Sequence, residues 1–515
     1  MKRKLETKTL YEKCGIVGVY SSQTKHILPF ALTAAGGVQH RGQQGTGIAI
    51  NHKGKIVTYR SNGTIKDVFL SNIVNRLDKP SIWTLIHCRY GTHGDYQKTN
   101  LQPCIVKTKS NDTITVIHNG EFAATNEFIS LIKQKTKRKL KKGLSDTYLF
   151  SIVLSLENGR NWDEKLKSCL LKVKGAYSLI IIINDVMYLA RDRFGIRPLI
   201  FGTLKDGWLG ASETHAFSKV GGTVIRQLNK GEIVRIDKSG PKSIDKKSND
   251  RGHFCDFEWA YFSRPESRYP YIDNSESQRK PASWLSVSHF RERTGAILAG
   301  EMPIKNATFV VGVPDSGVSL GTGYANTLKI PYRQAIVRDH FDRNGQDRLF
   351  MRDDEMKKIS KKVLGKLSLV VDSRIWKDAV AVICDDSIVR GNVSFEITRA
   401  ILSMGAKEIH WIIGFPPIIH KCHLGVSIRS GGELIAARHS ADSGKIAKEL
   451  GATSLYYISN EGFIKARLMD QKMNKTNNPN ELFLANGGCG GCVTGLYPVN
   501  QDGTYYKSSY TKKTN

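Results

Sequence analysis

Runs of apolar residues in the first half of the chain predict a series of β-strands. Segments 14–22 (CGIVGVYSS), 46–60 (TGIAINHKGKIVTYR), 113–122 (TITVIHNGEF), 177–192 (YSLIIIINDVMYLARD) and 231–240 (GEIVRIDKSG) are rich in β-branched residues and bounded by Asn, Asp and Gly, which is typical of strands and their turns. Helical patterns intervene at Thr147–Leu156 and Asn161–Lys174. This mixture predicts a layered α/β domain that ends near residue 240.

The second half repeats an order of strand, polar loop and helix. The clearest segments are 306–328 (NATFVVGVPDSGVSLGTGYANTL) and 380–405 (VAVICDDSIVRGNVSFEITRAILSMG), and residues 407–419 and 453–466 add two further strands. Continuously apolar strands alternating with helices predict a parallel sheet covered on both faces. The polar stretch 239–253 (SGPKSIDKKSNDRGH) predicts a linker between the halves.

Composition narrows the class of protein. A chain of 515 residues predicts two to four domains, and 40% hydrophobic with 24% charged residues excludes wholesale disorder. No apolar run approaches the ~18–20 residues of a membrane span, and the basic N-terminus lacks the apolar core of a secretory signal. Nine cysteines are too few for a disulfide framework. We therefore expect a soluble, cytoplasmic protein with no membrane partner, in which some thiols serve catalysis, a metal or a cluster.

The charge allows a second class of function. Seventy-seven Lys and Arg against 47 Asp and Glu give a net charge of +30, which would suit a non-enzymatic nucleotide- or RNA-binding protein. However, the basic residues are spread along the chain and concentrate only in 133–142, 238–247 and 357–366. Helix-turn-helix, RNA-recognition and zinc-finger patterns are absent. A lysine-rich solvated surface is the favoured interpretation, and we expect no nucleic-acid partner.

Cys14 is the first candidate nucleophile. It follows a polar leader, residues 1–13, and after removal of that leader it would carry a thiol and an α-amine on one residue, the amine acting as base. A lone cysteine in a strand is otherwise a core residue. Four polar motifs argue for chemistry instead, namely 40–44 (HRGQQ), 87–92 (HCRYGT), 118–121 (HNGE) and 145–147 (SDT).

These motifs, in this order and with 191–198 (RDRFGIRP) and 212–214 (SET), resemble the N-terminal-nucleophile glutamine amidotransferases over residues 14–236. The resemblance implies an αββα sandwich in which Cys14 attacks the amide of L-glutamine. It also implies that the Asn119 side chain and the Gly120 N–H stabilise the oxyanion. Arg89 would bind the carboxylate of glutamine and Asp146 its ammonium.

A second site is predicted at 382–391 (VICDDSIVRG), where two acidic residues end a buried strand and a small-residue loop follows. Ligands of open α/β sheets bind at such strand ends, and the loop lacks the lysine of a Walker-type site. The string resembles the PRPP-binding motif of type I phosphoribosyltransferases. By that resemblance Asp385 and Asp386 contact the ribose hydroxyls and Mg²⁺, while the phosphates are held by Ser387, Arg390, Gly391 and Ser394 and by Asp315 and Ser316 of a pyrophosphate loop at 313–317.

Three departures fall on this acceptor side. Asn392 and Val393 replace two threonines that usually hold the phosphate, residues 340–351 differ from the family's mobile loop, and 361–378 departs in spacing. Each lost charge-assisted hydrogen bond would weaken PRPP binding by ~1.5–3 kcal/mol. Two alternatives follow: a re-tuned PRPP site, or a glutaminase-linked paralogue with a different phosphorylated acceptor.

The two halves together, from about residue 14 to 498, resemble the glutamine phosphoribosylpyrophosphate amidotransferase family, with further matches at 255–267 and 415–418. The resemblance implies that the chain aminates PRPP to 5-phosphoribosylamine. It also implies a homo-oligomer, either a homotetramer or a homodimer, and purine nucleotides as effectors. The expected organisation is a leader (1–13), a glutaminase domain (14–245), a junction (246–275), a phosphoribosyltransferase domain with a mostly parallel sheet (276–470), and a C-terminal segment (471–515).

The remaining thiols suggest a metal or cluster site. Cys489 and Cys492 form a C-x-x-C between glycines, the pattern of a zinc or iron–sulfur half-site or of a redox pair. Cys255 and Cys422 stand where the leader-bearing subgroup of the family supplies the other two ligands of a [4Fe–4S] cluster. Zinc and free thiols are the alternatives. Cys88, Cys104, Cys169 and Cys384 lie on or beside apolar runs and are expected in the core.

Overall fold

A computed structural model describes residues 14–69, 73–89, 100–136, 139–141, 143–245, 248, 250–270, 280–338, 367–426 and 431–506. Thirteen strands occur in its first half: β1 (Gly15–Lys25), β2 (Gly45–His52), β3 (Lys55–Asn62), β4 (Ser81–Arg89), β5 (Cys104–Lys107), β6 (Thr113–Phe122), β7 (Gly175–Ile183), β8 (Val186–Arg191), β9 (Ile200–Leu204), β10 (Gly207–Ala211), β11 (Thr223–Gln227), β12 (Ile233–Asp237) and β13 (Gly240–Asp245).

These strands form two antiparallel sheets that pack face to face. The first has the order β11-β9-β10-β1-β4-β2-β3 and the second β13-β12-β8-β7-β6-β5. Ile16 and Tyr20 of β1 share one buried cluster with Ile180 and Ile182 of β7, so this cluster is the core between the sheets. The alternate residues of β7 face the other way, into helices, which is why its sequence is continuously apolar.

Helices cover the outer faces of both sheets. Their bounds are α1 (Leu28–Gly36), α2 (Ile65–Phe69), α3 (Ile73–Leu77), α4 (Thr125–Lys135), α5 (Asp146–Ser155), α6 (Trp162–Lys172) and α7 (His215–Ser218). Val17 of β1 shares a cluster with Leu28 and Ala31 of α1, and Leu179 of β7 shares one with Phe150 of α5. The four layers confirm the expected αββα sandwich.

The stretch 239–253 was predicted as a linker, and this is wrong for its first part. Gly240–Asp245 is strand β13, which pairs with β12 through a two-residue turn between Asp237 and Gly240. β13 lies at the edge of its sheet, and the side chains of its first four residues are half-buried or exposed. An edge strand of this kind needs main-chain pairing but no apolar face, so its polar sequence gave no strand pattern.

The second half contains a parallel sheet. Its strands are β17 (Phe309–Gly312), β20 (Val380–Asp385), β21 (Glu408–Ile413) and β22 (Ser454–Tyr457), hydrogen-bonded in that order, and β18 (Ile336–Arg338) pairs with β19 (Leu367–Leu369) separately. The accompanying helices are α8 (Val287–Glu301), α9 (Ser316–Leu328), α10 (Ser373–Trp376), α11 (Asn392–Ser403), α12 (Ile435–Arg438), α13 (Ser443–Leu450), α14 (Asn460–Leu468), α15 (Leu482–Ala485) and α16 (Gly491–Thr494). Cores on both faces of the sheet confirm the predicted covered parallel arrangement.

A junction connects the two halves. It contains β14 (Phe254–Cys255), a π-helix at Glu258–Phe262 and β15 (Arg268–Tyr269), which pairs with β16 (Leu285–Ser286). β14 pairs in parallel with β23 (Gly488–Cys489), near the other end of the chain. Among the described residues, no helix combines the length and apolar character that crossing a bilayer requires.

Candidate functional site

The first site forms where β1 begins. Cys14 precedes Gly15, which pairs with Cys88 of β4, and the buried Cys88 thiol lies within electrostatic range of Cys14. Because β1 and β4 are antiparallel, the start of β1 meets the end of β4, which is Arg89. The structure therefore brings the predicted nucleophile and the predicted carboxylate ligand to the same end of two neighbouring strands. Both residues are partly exposed.

Ser212 connects the predicted oxyanion donor to this strand end. The buried Asn119 of β6 donates from Nδ2 to Ser212 Oγ at 3.4 Å. The same hydroxyl accepts the N–H of Ile16 at 3.1 Å, and the N–H of Ser212 donates to the carbonyl of Ile16 at 3.1 Å. Asn119 is thus fixed beside a residue two positions after Cys14. The sequence marked Ser212 as part of a motif without assigning it this role.

Gly120 follows Asn119 at a position that excludes every other residue. Its φ is +147°, and a Cβ atom here would lie 2.0 Å from the carbonyl oxygen of Ala176 on the neighbouring strand. Both the backbone conformation and the close strand approach therefore require glycine. This constraint fixes the main chain of the proposed oxyanion donor.

Asp146 is the first residue of α5, and main-chain donors hold its carboxylate. Oδ1 accepts the N–H of Thr147 at 2.7 Å, and Oδ2 accepts the N–H of Phe122, two residues beyond Gly120, at 3.3 Å. The side chain remains 23% exposed, so it is accessible to a ligand. Asp146 and Arg89 both lie within electrostatic range of the Cys104 thiol. The cationic Arg89 and the anionic Asp146 therefore lie near the same thiol, an arrangement that complements an α-amino acid zwitterion.

Beneath this site lies a buried ionic network that sequence reasoning missed. Its four members are fully buried, and they are Arg41, Glu213, Glu258 and Arg197. Arg41 donates to Glu213 at 2.7 Å and to both oxygens of Glu258 at 2.7 and 2.9 Å, and Arg197 donates to Glu258 at 3.0 Å. Burial opposes ionisation, but Arg41 lowers the pKa of Glu258, and His40 together with Arg41 lowers that of Glu213. The network is therefore ionised at neutral pH.

The network extends into the junction and towards the second half. The N–H of Arg264 and the hydroxyl of Ser267 donate to Glu213 at 3.0 and 2.6 Å. Arg291 of α8 donates to the carbonyls of Trp259 at 3.1 Å and Ser263 at 2.8 Å. Arg291 also lies within electrostatic range of Asp386. A continuous set of buried polar contacts thus reaches from the first site towards the second.

The second site is the acidic pair that follows β20. Asp385 ends the strand and accepts the N–H of Asp386 at 2.9 Å. Asp386 accepts hydrogen bonds from the hydroxyl of Ser316 and, at 2.6 Å, from that of Ser387. Burial raises the pKa of both carboxyls, and the charge of Asp386 raises that of Asp385 further. The pair is therefore costly to ionise without a cation or other donors nearby.

The predicted phosphate-binding residues surround this pair but make different contacts. Gly391 has φ +82°, and a Cβ atom there would lie 2.6 Å from Ile435, so the turn into α11 requires glycine. Ser394 is buried in the first turn of α11. Arg390 forms an ion pair with Glu433 (Nε to Oε2, 3.1 Å), and Asp315 forms one with Arg338 at 2.6 Å.

The departures on the acceptor side have two outcomes. Asn392 and Val393 are the first two residues of α11, so they keep main-chain N–H groups at the helix start although the threonine hydroxyls are lost. The altered loop at 340–351 lies outside the described residues, as does the start of the 361–378 region. The described remainder of that region, residues 367–378, contains β19 and α10.

We expect Asp385→Asn to raise the free energy of unfolding of the ligand-free protein by about 1 kcal/mol at neutral pH. A carboxyl with a raised folded-state pKa stabilises the fold at low pH, and that stabilisation is lost as pH rises through the folded pKa. The neutral amide removes this loss, so the gain should grow with pH. Urea unfolding at acidic and alkaline pH measures it. Asp372→Asn should show no gain, because the ion pair of Asp372 with Arg374 lowers the pKa of that carboxyl, and an Asp385→Asn protein less stable at alkaline pH would contradict the assignment.

Four cysteines converge beside the junction. Cys255 and Cys489 are paired residues of β14 and β23, and Cys492 follows in α16. The N–H groups of Ile419 and His420 donate to the carbonyl of Cys492 at 3.0 Å, which brings the segment leading to Cys422 alongside. The Cys492 thiol lies within electrostatic range of the other three.

The surroundings of these thiols suit negatively charged sulfur. Cys422 Sγ accepts the N–H groups of Leu424 and Val426, each at 3.4 Å. Burial raises the pKa of Cys255 to about 12, although the neighbouring Arg197 lowers it. Thiols buried in this way become thiolates when a metal binds them. None of the nine cysteines, all of which the structure describes, forms a disulfide, and Cys88, Cys104, Cys169 and Cys384 are buried.

Comparisons with known proteins show the family to which the chain is similar. Residues 87–219 match a family model described as a glutamine amidotransferase domain. Curated amidophosphoribosyltransferases from Bacillus subtilis and Archaeoglobus fulgidus are 31% and 32% identical, covering 96% and 95% of this chain and 96% and 99% of theirs. The solved structure of glutamine PRPP amidotransferase from B. subtilis complexed with ADP and GMP has a TM-score of 0.79 and 29% identity, covering 96% of this chain and 99% of that chain. With such identity over almost its whole length, the chain belongs to the amidophosphoribosyltransferase family.

Proposed function

We propose that the chain transfers the amide nitrogen of L-glutamine to C1 of PRPP, which gives 5-phosphoribosylamine, glutamate and pyrophosphate, the first step of de novo purine synthesis. One observation carries this proposal. The chain contains two sites. In the first, the Cys14 thiol lies beside the fixed amide of Asn119 and a pair of opposite charges. In the second, the acidic pair Asp385 and Asp386 follows the carboxyl end of β20, and buried polar contacts extend from the first site towards it. A single-site binding protein has no need of both.

The glutaminase half-reaction begins at Cys14. Removal of residues 1–13, which lie outside the described residues, would leave an α-amine with a pKa of ~7.7–8.0 to accept the thiol proton. The thiolate then attacks the glutamine amide carbon, with Asn119 and the Gly120 N–H stabilising the oxyanion. Collapse releases ammonia and leaves a thioester, which water hydrolyses to glutamate. Arg89 and Asp146 hold the substrate's carboxylate and ammonium throughout.

The acceptor half-reaction is a substitution at C1 of PRPP. Asp385 and Asp386 would bind the ribose hydroxyls and the Mg²⁺ that accompanies PRPP, since magnesium prefers one or two carboxylates plus substrate phosphates. The main-chain N–H groups at the start of α11, with Ser387, Arg390, Gly391 and Ser394, would bind the 5′-phosphate. Asp315 and Ser316 are assigned to the pyrophosphate. Mg²⁺ supplies charge neutralisation of the departing pyrophosphate.

Ammonia must travel between the sites without meeting bulk water, because protonation would remove its lone pair. The junction suits this requirement. The junction buries three aromatic side chains, those of Phe257, Trp259 and Phe262, and Phe415 of the second half is also buried. Phe257 contacts Phe262 and Phe415 edge to face, and Trp259 contacts Tyr269 in the same way. Such aromatic packing excludes water from the region between the sites.

The decisive assay measures glutamate and pyrophosphate release by the purified full chain with and without PRPP. Stoichiometric release of both products that depends on PRPP is the expected result. Glutamate release without pyrophosphate would instead identify a paralogue with another phosphorylated acceptor, the possibility that Asn392 and Val393 raise. Release of neither product by a protein with intact metal content would overturn the enzymatic assignment.

We propose that Cys255, Cys422, Cys489 and Cys492 bind a [4Fe–4S] cluster. The N–H donors directed at Cys422 Sγ support a metal-bound thiolate, and the resemblance of the four cysteine positions to the leader-bearing subgroup favours a cluster over zinc. In the described part of the chain, no three His, Cys, Asp or Glu side chains are placed to hold a single metal ion. When bound, the cluster would cross-link the junction to the C-terminal segment.

Cys422→Ser should remove iron and acid-labile sulfide from protein purified under anaerobic conditions, because serine replaces one of four thiolate ligands. Elemental analysis and the sulfur-to-iron charge-transfer absorption measure this loss. Cys169→Ser is the matched control, since Cys169 is buried in α6 away from the four ligands. One zinc per chain in the unaltered protein would replace the cluster assignment with a zinc site.

We also propose a homo-oligomer in a reducing cytoplasm that responds to purine nucleotides. The free thiols support the compartment. The B. subtilis relative whose structure holds ADP and GMP supports nucleotide effectors. Light scattering after size-exclusion chromatography tests the oligomer, and inhibition of pyrophosphate release by nucleotides tests the effectors.

A further inference from the structure

A separate cavity of about 280 Å³ lies between the glutaminase half, the junction and the C-terminal part of the chain. Its walls come from the turn after β8, from residues 251–254 and from the segment following α14. None of the residues assigned above to glutamine, PRPP or the four-cysteine site lines it. The cavity therefore lies outside both substrate sites, although Trp259 of its lining also belongs to the aromatic packing of the junction.

Positive charge dominates this cavity. Its lining includes five permanent cations, which are Arg191, Lys230, Arg251, Arg467 and Lys472, together with His253. No aspartate or glutamate occurs in the described lining. Like charges around a concave wall reinforce one another and attract anions.

The two buried cations are held by different partners, and because Asp256 offsets the charge of Arg467, Lys230, Arg251 and Lys472 supply the excess positive charge of the cavity. Arg191 donates to the main-chain carbonyls of Arg197 and Leu228, each at 2.6 Å, and to that of Gly195 at 2.5 Å. These acceptors orient the guanidinium, and the buried Asp192 lies within electrostatic range of it. Arg467 forms an ion pair with the buried Asp256 at 2.9 Å and donates to the carbonyl of Asn486 at 2.8 Å. At the rim, Arg251 and Lys472 are exposed to solvent.

We propose that this cavity binds a small organic phosphate, a phosphomonoester, at a site distinct from both catalytic centres. Arginine forks and lysine ammonium groups are the usual protein ligands of phosphate. Polar amides of Gln227 and Asn486 and the ring of Phe254 complete the wall, so the organic part of the ligand meets both hydrogen-bonding and apolar surface. The site does not depend on the proposed reaction and can be tested in its absence.

Pyridoxal 5′-phosphate is a suitable probe because its aldehyde condenses with a nearby lysine amine, releasing water, and borohydride reduces the imine to a stable amine. Peptide mass spectrometry of the full-length protein then identifies the labelled lysines. We expect Lys472 to be labelled about tenfold more than the exposed Lys475, which lies outside the lining. Inorganic phosphate and ribose 5-phosphate should suppress the preference, whereas ribose should not.

Two comparisons make the proposal falsifiable. Pyridoxal without its phosphate should label Lys472 and Lys475 equally, and Arg251→Gln should reduce the preference of the phosphate form to near one while glutamine-dependent pyrophosphate release continues. Equal labelling of the two lysines by pyridoxal 5′-phosphate would overturn the site. Suppression by inorganic phosphate but not by ribose 5-phosphate would overturn the assignment to an organic phosphate. Because labelling is independent of turnover, its failure is distinguishable from failure of the amidotransferase assignment.

Discussion

Replacement of Cys14 by serine is expected to lower glutamine-dependent product formation by about 10³-fold or more, while amination of PRPP by added ammonium salts continues. A serine hydroxyl is far less acidic than a thiol, so an α-amine cannot generate a comparable nucleophile near neutral pH. The acceptor site needs only ammonia, and it is built from other residues. Pyrophosphate release measured with glutamine and then with ammonium chloride at alkaline pH separates the two activities.

Cys88→Ala is the matched control for this substitution. Cys88 pairs with Gly15 and lies close to Cys14, but it is buried and has a raised pKa because of that burial. Its replacement should retain most of the glutamine-dependent activity. Continued glutamate release by Cys14→Ser would contradict the nucleophile assignment. A mature chain that still begins at Met1, by mass spectrometry, would contradict the proposed role of the α-amine.

Arg41→Ala should reduce the free energy of unfolding by about 3–5 kcal/mol, the usual cost of removing one partner from a buried ion pair. The substitution leaves Glu213 and Glu258 in the interior without the cation that both contact at 2.7 Å. It also removes one of the polar connections between the glutaminase sandwich and the junction. Chemical unfolding followed by fluorescence measures the loss.

Lys25→Ala provides the comparison for Arg41→Ala. Lys25 and Asp206 form an ion pair of similar length, 2.8 Å, but both side chains are about half exposed. Exposed pairs contribute about 1 kcal/mol or less because water screens them. If both substitutions had the same small effect, burial of the Arg41 network would not be the source of its stabilisation.

The elements that could be predicted from sequence are those with a strong apolar pattern. The strand predicted at 113–122 coincides with β6, and the continuously apolar run before Asn184 is β7, which is buried on both faces. The helix predicted at 147–156 is shifted from α5 by one residue, because Ser145 caps the helix and makes Asp146 its first residue. Strand β13 could not be predicted, because its polar sequence has no apolar alternation and it joins the sheet through its main chain.

The sites were predictable to a different extent. The motifs drew attention to Cys14, Asn119 and Asp385, but their roles came from resemblance and stay predictions. The contacts that fix these residues could not be predicted, since Ser212 meets Asn119 and Arg41 meets Glu258 across long stretches of chain. No local spacing encodes a hydrogen bond of that kind, and only folding of the whole domain brings the partners together.

The parallel pairing of β14 with β23 has a consequence for biosynthesis of the chain. Cys255 can meet its partner Cys489 only after nearly the whole polypeptide has left the ribosome, although the strands of the glutaminase sandwich all lie before residue 246. Closing so long a loop is entropically unfavourable and slow compared with forming local contacts. The four-cysteine site is therefore the last part of the molecule to assemble. A chain that ends before Cys489 would lack the pairing that joins β14 of the junction to β23.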